Sequence, residues 1–202
     1  MQIRLLRKVL AALLLVAAGA WAIFIGMRSK LPQQYKVYSV FIRDTFPEWF
    51  RDSHISVLPI ARDYMNCAGS WLQSSEASEK INWLRKSHPG VSDDLLLRYY
   101  SSYLSQGALS NRFNLTLPTV LVPPEELDVD KRGDGIEEFF KRYPSAPGVL
   151  RFSQVAFSSD GRFAMFEYSY ELCPLCSHGG TVLMEKRSGR WRIRKNFGGW
   201  VS

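Results

Sequence analysis

The residues best suited to chemistry in this 202-residue chain are the two thiols of Cys173-Pro174-Leu175-Cys176. Two cysteines three positions apart can cycle between dithiol and disulfide, supply half of a zinc site, or close a small loop for good. The redox use needs a helix opening behind the pair, because a helix N-terminus lowers the thiol pKa. Here Ser177-His178-Gly179-Gly180 follows and then another β-type run, so that helix is not expected. A closed zinc site needs four ligands. Cys67 and His178 are what remains to complete one, and His178 lies a cramped two residues past Cys176. The third use is a local disulfide that clips a hairpin corner in an oxidising compartment. In the chain-entropy picture so short a loop stabilises by roughly 2 kcal/mol. The expectation is therefore a structural disulfide between Cys173 and Cys176, with no catalytic, cofactor-binding or metal-binding residue and no cofactor. Cys67, beside Met65 and Ala68, is expected as a buried, inert thiol; a bridge to the 173/176 pair or to another chain stays open.

The other constellations that carry chemistry are thin. His54, His88 and His178 are isolated, without the i, i+4 partner of a helical metal site. No serine sits in a nucleophile-elbow context, and no Gly-rich loop joins a strand to a helix. The run from Asp128 through Asp130 and Gly133 to Asp134 echoes a calcium loop, but Arg132 and Phe139 fall where oxygen ligands are needed. It reads instead as a solvated turn leading into a capped helix. Asn114-Leu115-Thr116 fits a glycosylation acceptor, relevant only on a eukaryotic secretory route. The stripe Arg190, Arg192, Arg194 could meet anionic headgroups or an acidic partner; its plainer reading is the wet face of a strand.

The elements that must position these residues follow from periodicity. Residues 149–201 read as four antiparallel strands, with Asp160-Gly161 and Ser188-Gly189 as hairpin turns. Val155, Phe157, Phe166, Tyr168 and Tyr170 are inward candidates, and in the last strand Trp191, Ile193 and Lys195 alternate with the three arginines. Upstream, Tyr35, Tyr38, Phe41 and Ile42 repeat at helical spacing before Pro47. A β-type run at 55–60 contains Pro59, which predicts an edge strand or none. Residues 77–86 predict a helix with Ile81 and Leu84 on one side, stopped by His88-Pro89-Gly90. Ser92-Asp93-Asp94 caps the next, with Leu96, Leu97, Tyr100, Tyr103 and Leu104 as its stripe. A short strand is expected at 119–122. A helix capped by Asp134 follows, with Ile136, Phe139, Phe140 and Tyr143 as its buried face. Helices first and a meander last predict an α+β fold, the helices packed on one face of a curved antiparallel sheet.

Charge and hydropathy place the chain. The formal net charge is +7, but residues 1–30 hold five basic residues and no acid, leaving 21 basic against 19 acidic in 31–202. A near-neutral domain is poor support for nucleic acid, whose binders concentrate basic charge. Residues 9–27 form an apolar run about long enough to cross a ~30 Å hydrocarbon layer. Arg4, Arg7 and Lys8 ahead of it favour a cytoplasmic N-terminus. The expected organisation is a signal anchor over 1–30 and a single extracytoplasmic domain over 31–202, held at a bacterial inner membrane by one pass. Cleavage at Ala18-Gly19-Ala20 or Ala20-Trp21-Ala22 is the rival and leaves the domain on the same side.

Several C-terminal features carry a resemblance. Tyr143-Pro-Ser-Ala-Pro-Gly148, Phe152-Ser-Gln-Val155, Asp160-Gly161, Cys173 with Cys176, Gly180, Leu183-Met-Glu-Lys186, Gly189-Arg-Trp191 and Trp200-Val-Ser202 resemble a group of exported bacterial proteins of unassigned activity. The likeness spans residues 75–202 and its motifs are structural. More loosely, helices followed by a meander ending in Gly-Arg-Trp-Arg-Ile are similar to nuclear-transport-factor-2-like cones, which implies a fold and not a function. The expected function is a non-catalytic, membrane-tethered binding domain whose partners are the membrane and a protein or small-molecule ligand. The alternative is a thiol-redox or metal-binding protein centred on Cys173, Cys176, Cys67 and His178; a third possibility is hydrolysis in a sheet–helix cavity, which needs a carboxylate and a His or Tyr meeting in a pocket.

Overall fold

The computed structural model describes residues 32–65, 77–103, 107–127, 135–171 and 176–201. Among them no helix is long and apolar enough to cross a membrane; the apolar run 9–27 lies outside the described residues. The elements are α1 (Gln33–Thr45), a 3-10 turn (Pro47–Phe50), β1 (Leu58–Ala61), α2 (Ala77–Ser87), α3 (Asp93–Tyr103), β2 (Thr119–Val122), α4 (Pro124–Leu127) and α5 (Gly135–Arg142). The strands β3 (Val149–Phe152), β4 (Ala156–Phe157), β5 (Phe163–Glu171), β6 (Ser177–Arg187) and β7 (Arg190–Val201) follow. The fold is α+β with a mostly antiparallel seven-stranded sheet in the order β2-β1-β3-β5-β6-β7, β4 pairing with β5 beyond a kink after β3. The C-terminal meander is present as expected. Both hairpin turns use left-handed backbone: Gly161 has φ 66°, and Ser188 and Gly189 have φ 48° and 77°.

Side chains alternate across a strand, so β5 serves two faces. Ala164, Phe166, Tyr168 and Tyr170 face the larger core, with Val182 and Met184 of β6, Phe152 of β3, and α1. The α1 aromatics interlock with them: Tyr38 stacks on Phe152 at 4.6 Å, and Phe41 meets Phe166 edge-on at 5.3 Å. Tyr38 also donates its hydroxyl to the Ser153 carbonyl at 2.7 Å, and burial pushes its pKa well up. At the far end of α1, Phe46 stacks on Trp49 at 3.9 Å and both lean on Tyr170.

The other face is covered too, which corrects the expectation of helices on one side. Met165, Leu183 and Phe197 form a second core with Leu84 of α2 and Leu95, Leu96 and Tyr99 of α3. Phe139 of α5 packs with Ala61, Val122 and Val149 in a third. The sheet is thus a middle layer, with α1 on one side and α2, α3 and α5 on the other.

Three smaller expectations are also corrected. The buried side of α3 carries Leu95, Leu96, Tyr99 and Ser102, while Leu97 is 51% exposed. Burial through 95, 96, 99 and 102 is one helical stripe, shifted from the one expected. β1 is not an edge strand: it pairs in parallel with β2 on one side and β3 on the other. Pro59 is tolerated because the Leu58 and Arg62 N–H groups donate towards β2 (to Pro118 and Val122 carbonyls). Pro59's missing donor therefore faces β3, where the ladder is a single Ile60–Leu150 pair. Finally, Lys195 does not share a face with Trp191 and Ile193. A bulge lets Ile193 oppose Met184 while Lys195 opposes Leu183, and beyond it odd-numbered side chains switch faces.

The α1 interface makes a graded expectation. Phe41→Ala should lower unfolding free energy by about 3–5 kcal/mol, because the void it leaves lies among packed rings. Tyr38→Phe should cost only about 1–2 kcal/mol, the cost of leaving the Ser153 carbonyl unmatched. Urea denaturation followed by tryptophan fluorescence measures both; equal losses would contradict this packing.

Candidate functional site

The face under α2 and α3 changes character along β5. Its odd positions run Phe163, Met165, Glu167, Ser169, Glu171, apolar for two residues and polar for three. Cross-strand pairing sets Arg151 of β3 against Ser169, and Thr181 of β6 against Glu167. From above, α3 brings Tyr99, fully buried and one helical turn beyond Leu95 and Leu96.

These groups bond to one another. Tyr99 Oη donates to Glu167 Oε1 at 2.8 Å and lies 3.2 Å from Thr181 Oγ1. Thr181 Oγ1 is itself 3.5 Å from the same carboxylate oxygen. Further along the row, Arg151 Nε lies 2.7 Å from Glu171 Oε1, and Nη2 donates to Glu171 Oε2 at 3.2 Å. Both side chains of that pair are about a quarter exposed (29% and 24%). The Glu167 backbone is pinned to the kink between β3 and β4: its N–H donates to Ser153 Oγ at 2.8 Å, and the Ser153 N–H donates to its carbonyl at 2.9 Å. A carboxylate, two hydroxyls and a guanidinium–carboxylate pair thus share one half-buried strip, between the ground covered by α3 and that covered by α5.

His88 lies behind this strip, 5% exposed. Its ring is 5.9 Å from Tyr99 and 4.9 Å from Phe197. Nδ1 is 3.0 Å from the Leu84 carbonyl, which can only accept, so the proton sits on Nδ1. Burial lowers the His88 pKa; the Leu84 bond and the Glu167 charge act the other way and are outweighed. With Nδ1 committed to the main chain, His88 is a neutral wall behind Tyr99 rather than an imidazole oriented by a carboxylate.

The sequence-derived candidates sit elsewhere. Cys176 is exposed immediately before β6, and β5 and β6 pair up to Glu171 and Ser177. The corner therefore joins two strands, and no helix opens behind Cys176. Cys67 and Cys173 lie outside the described residues. His178 packs edge-on against Tyr170 at 5.0 Å on the α1 side of the sheet. His54 is exposed beside Asp52 at 3.0 Å. Among the described residues no group of three or more His, Cys, Asp or Glu side chains could hold a metal ion. Neither Tyr99 nor Glu167 stood out in the sequence. The available signal was the polar turn of the odd positions of β5, opposite an aromatic even row.

No protein-family model matches this chain, and neither does any curated protein or solved structure.

The burial of His88 has a consequence with a definite sign. A histidine whose folded pKa is depressed contributes stability above its unfolded value, and that contribution is lost as pH falls through about 6.5. Unfolding free energy should therefore decline between pH 8 and pH 5.5, and His88→Leu should flatten the decline. Asp93, Asp94 and Asp160, held low by Arg85, by the Ser159 N–H with Arg98, and by Ser158 with the Arg162 N–H, act only at more acid pH. Urea titrations of both proteins across this range decide it; parallel slopes would refute the assignment.

Proposed function

We propose that this chain is a membrane-tethered, extracytoplasmic domain that binds a polar ligand or protein segment along the strip from Tyr99 and Glu167 to Arg151 and Glu171, without transforming it. The observation that carries the reading is the shared hydrogen bonding of Tyr99, Thr181 and Glu167 beside a half-buried Arg151–Glu171 pair. Such a strip offers a ligand a guanidinium, carboxylates and hydroxyls in fixed positions, as small-molecule and peptide sites do. Among the described residues no hydroxyl or thiol is hydrogen-bonded to the His88 ring, whose one hydrogen bond goes to the Leu84 carbonyl, and this favours binding over a nucleophile paired with an imidazole. The tether is the apolar run 9–27 behind Arg4, Arg7 and Lys8.

In the same reading Cys173 and Cys176 form a structural disulfide that clips the β5–β6 corner. What supports it is that Cys176 is bonded through its sulfur rather than free, and that a strand follows it directly. The resting state of a redox pair would instead place the attacking thiolate on a helix N-terminus.

Two measurements test these claims separately. In a thermal-shift panel of small polar molecules and peptides, the true ligand should raise Tm for the full chain but not for Arg151→Met or Tyr99→Phe. It should be recovered chemically unchanged; turnover would replace the binding reading with an enzyme. Intact mass without reductant should be two hydrogens light, and mild reductant should not open the 173–176 loop at equilibrium. Ready cycling, or a retained metal, would favour the thiol-redox or metal alternative.

A further inference from the structure

The order in which α1 rings meet β5 fixes the direction of that helix. Tyr38 reaches Phe166, Phe41 reaches Phe166 and Tyr168, and Phe46 reaches Tyr170. As numbers rise along α1 they rise along β5, so the start of α1 points to the end of the sheet where β5 begins at Phe163. That end carries the tips of both hairpins, Asp160-Gly161 and Ser188-Gly189.

The same end is basic. Residues 158–163 and 185–195 hold seven cations (Arg162, Lys186, Arg187, Arg190, Arg192, Arg194, Lys195) against Asp160 and Glu185, a balance of +5. The rest of 31–202 has fourteen basic and seventeen acidic residues, a balance of −3. A near-neutral domain is therefore electrically polar. Both acids already have partners at these tips. Asp160 accepts from Ser158 Oγ at 2.6 Å and from the Arg162 N–H at 2.9 Å. Glu185, almost fully buried, pairs with Arg187 at 2.9 Å and Arg194 at 3.3 Å, and these two, Arg187 first, hold its carboxyl below the usual range. Asp94, the neighbouring acid from α3, bonds the Ser159 N–H and pairs with Arg98. Arg190 and Arg192 are exposed and enter no ion pair among the described residues. The Arg162 and Arg194 guanidiniums lie over the Phe163 ring at 5.7 and 5.4 Å, so this basic surface also has an aromatic floor.

We propose that these two hairpin tips dock the domain on anionic phospholipid headgroups of the membrane that carries it. The inference rests on the tether reading. Only residues 28–32 separate the apolar run from α1, a link of at most about 18 Å when extended. The chain enters the folded unit at the basic end, and charged groups that near an anionic surface lie within reach of its field, screened over roughly 8–10 Å. An acidic protein would meet the same charges without needing them beside the point of attachment.

The test uses the full chain reconstituted in vesicles of phosphatidylcholine alone or with one-third phosphatidylglycerol. Lysines are acetylated with a membrane-impermeant reagent and quantified by mass spectrometry. Lys141 on α5, beside β1 and β2, is the internal reference. Lys186 and Lys195 should react several-fold more slowly than on phosphatidylcholine when phosphatidylglycerol is present at low salt. The effect should vanish in 0.5 M NaCl and shrink markedly in an Arg190→Gln/Arg192→Gln variant, which keeps Arg187 and Arg194 as partners of Glu185 and sets no second carboxylate opposite it. Flotation with both vesicles but an unchanged ratio to Lys141 would overturn the docking face and leave the tether standing. Flotation with neither would overturn the tether and the docking together.

Discussion

The alternation of side chains along β5 is the constraint on which the structure turns. Nine residues of one strand serve three environments: an aromatic core under α1, an aliphatic core under α2 and α3, and a polar strip beyond them. Period two leaves no freedom in this assignment. A one-residue slip would carry Phe166, Tyr168 and Tyr170 to the face of α3 and drive Glu167 into the rings of Tyr38 and Phe41. The register is held on both sides, by the β6 ladder and by the Ser153 hydroxyl that bonds the Glu167 N–H. The residue at the kink between β3 and β4 thus also sets the position of the site's carboxylate.

The parity rule is broken deliberately in β7. The bulge after Ile193 and the shift beside Gly198, which takes φ 51°, change which numbers face which layer. Before the first bulge, Trp191 packs with the α1 core; after it, Phe197 packs with His88 and the α2–α3 core. One strand can therefore contribute large aromatics to opposite faces with both at odd positions. The extra residues also twist an edge strand that carries Arg190, Arg192, Arg194 and Lys195, and charge and bulges together discourage pairing with another chain.

This explains what was and was not legible in the sequence. The meander, its two turns and the helices were legible, because turn chemistry and apolar period act locally: Asp160-Gly161 and Ser188-Gly189 need no partner to be read. The covering of both sheet faces was not. Met165 lies in the unbroken apolar run 163–166 and Leu183 in the run 182–184, where alternation marks no face, and only the bulge aligns Phe197 with the other two. The phase of α3 was lost for a related reason. Leu95, Leu96 and Leu97 are consecutive, and composition alone does not say which of the three is exposed. The same ambiguity hides Tyr99, and with it the link to Glu167. Pro59 misled because a proline's missing donor forbids only one side of a strand, and the sequence does not say which side needs the bond.

The polar strip is also the place where the core could have been made simpler. A buried tyrosine hydroxyl and a threonine beside a carboxylate each need partners, since an unmatched polar group costs about 1–3 kcal/mol. An apolar residue at 167 would continue the row begun by Phe163 and Met165 without that requirement. Instead the hydroxyls of α3 and β6 converge on one carboxylate oxygen, and the next polar pair along the row is an ion pair only partly withdrawn from water. Buried networks of this kind confer stability poorly and geometry well. This stretch of sheet gives up apolar burial for fixed donors and acceptors, between a region under α3 and a region under α5 that do not.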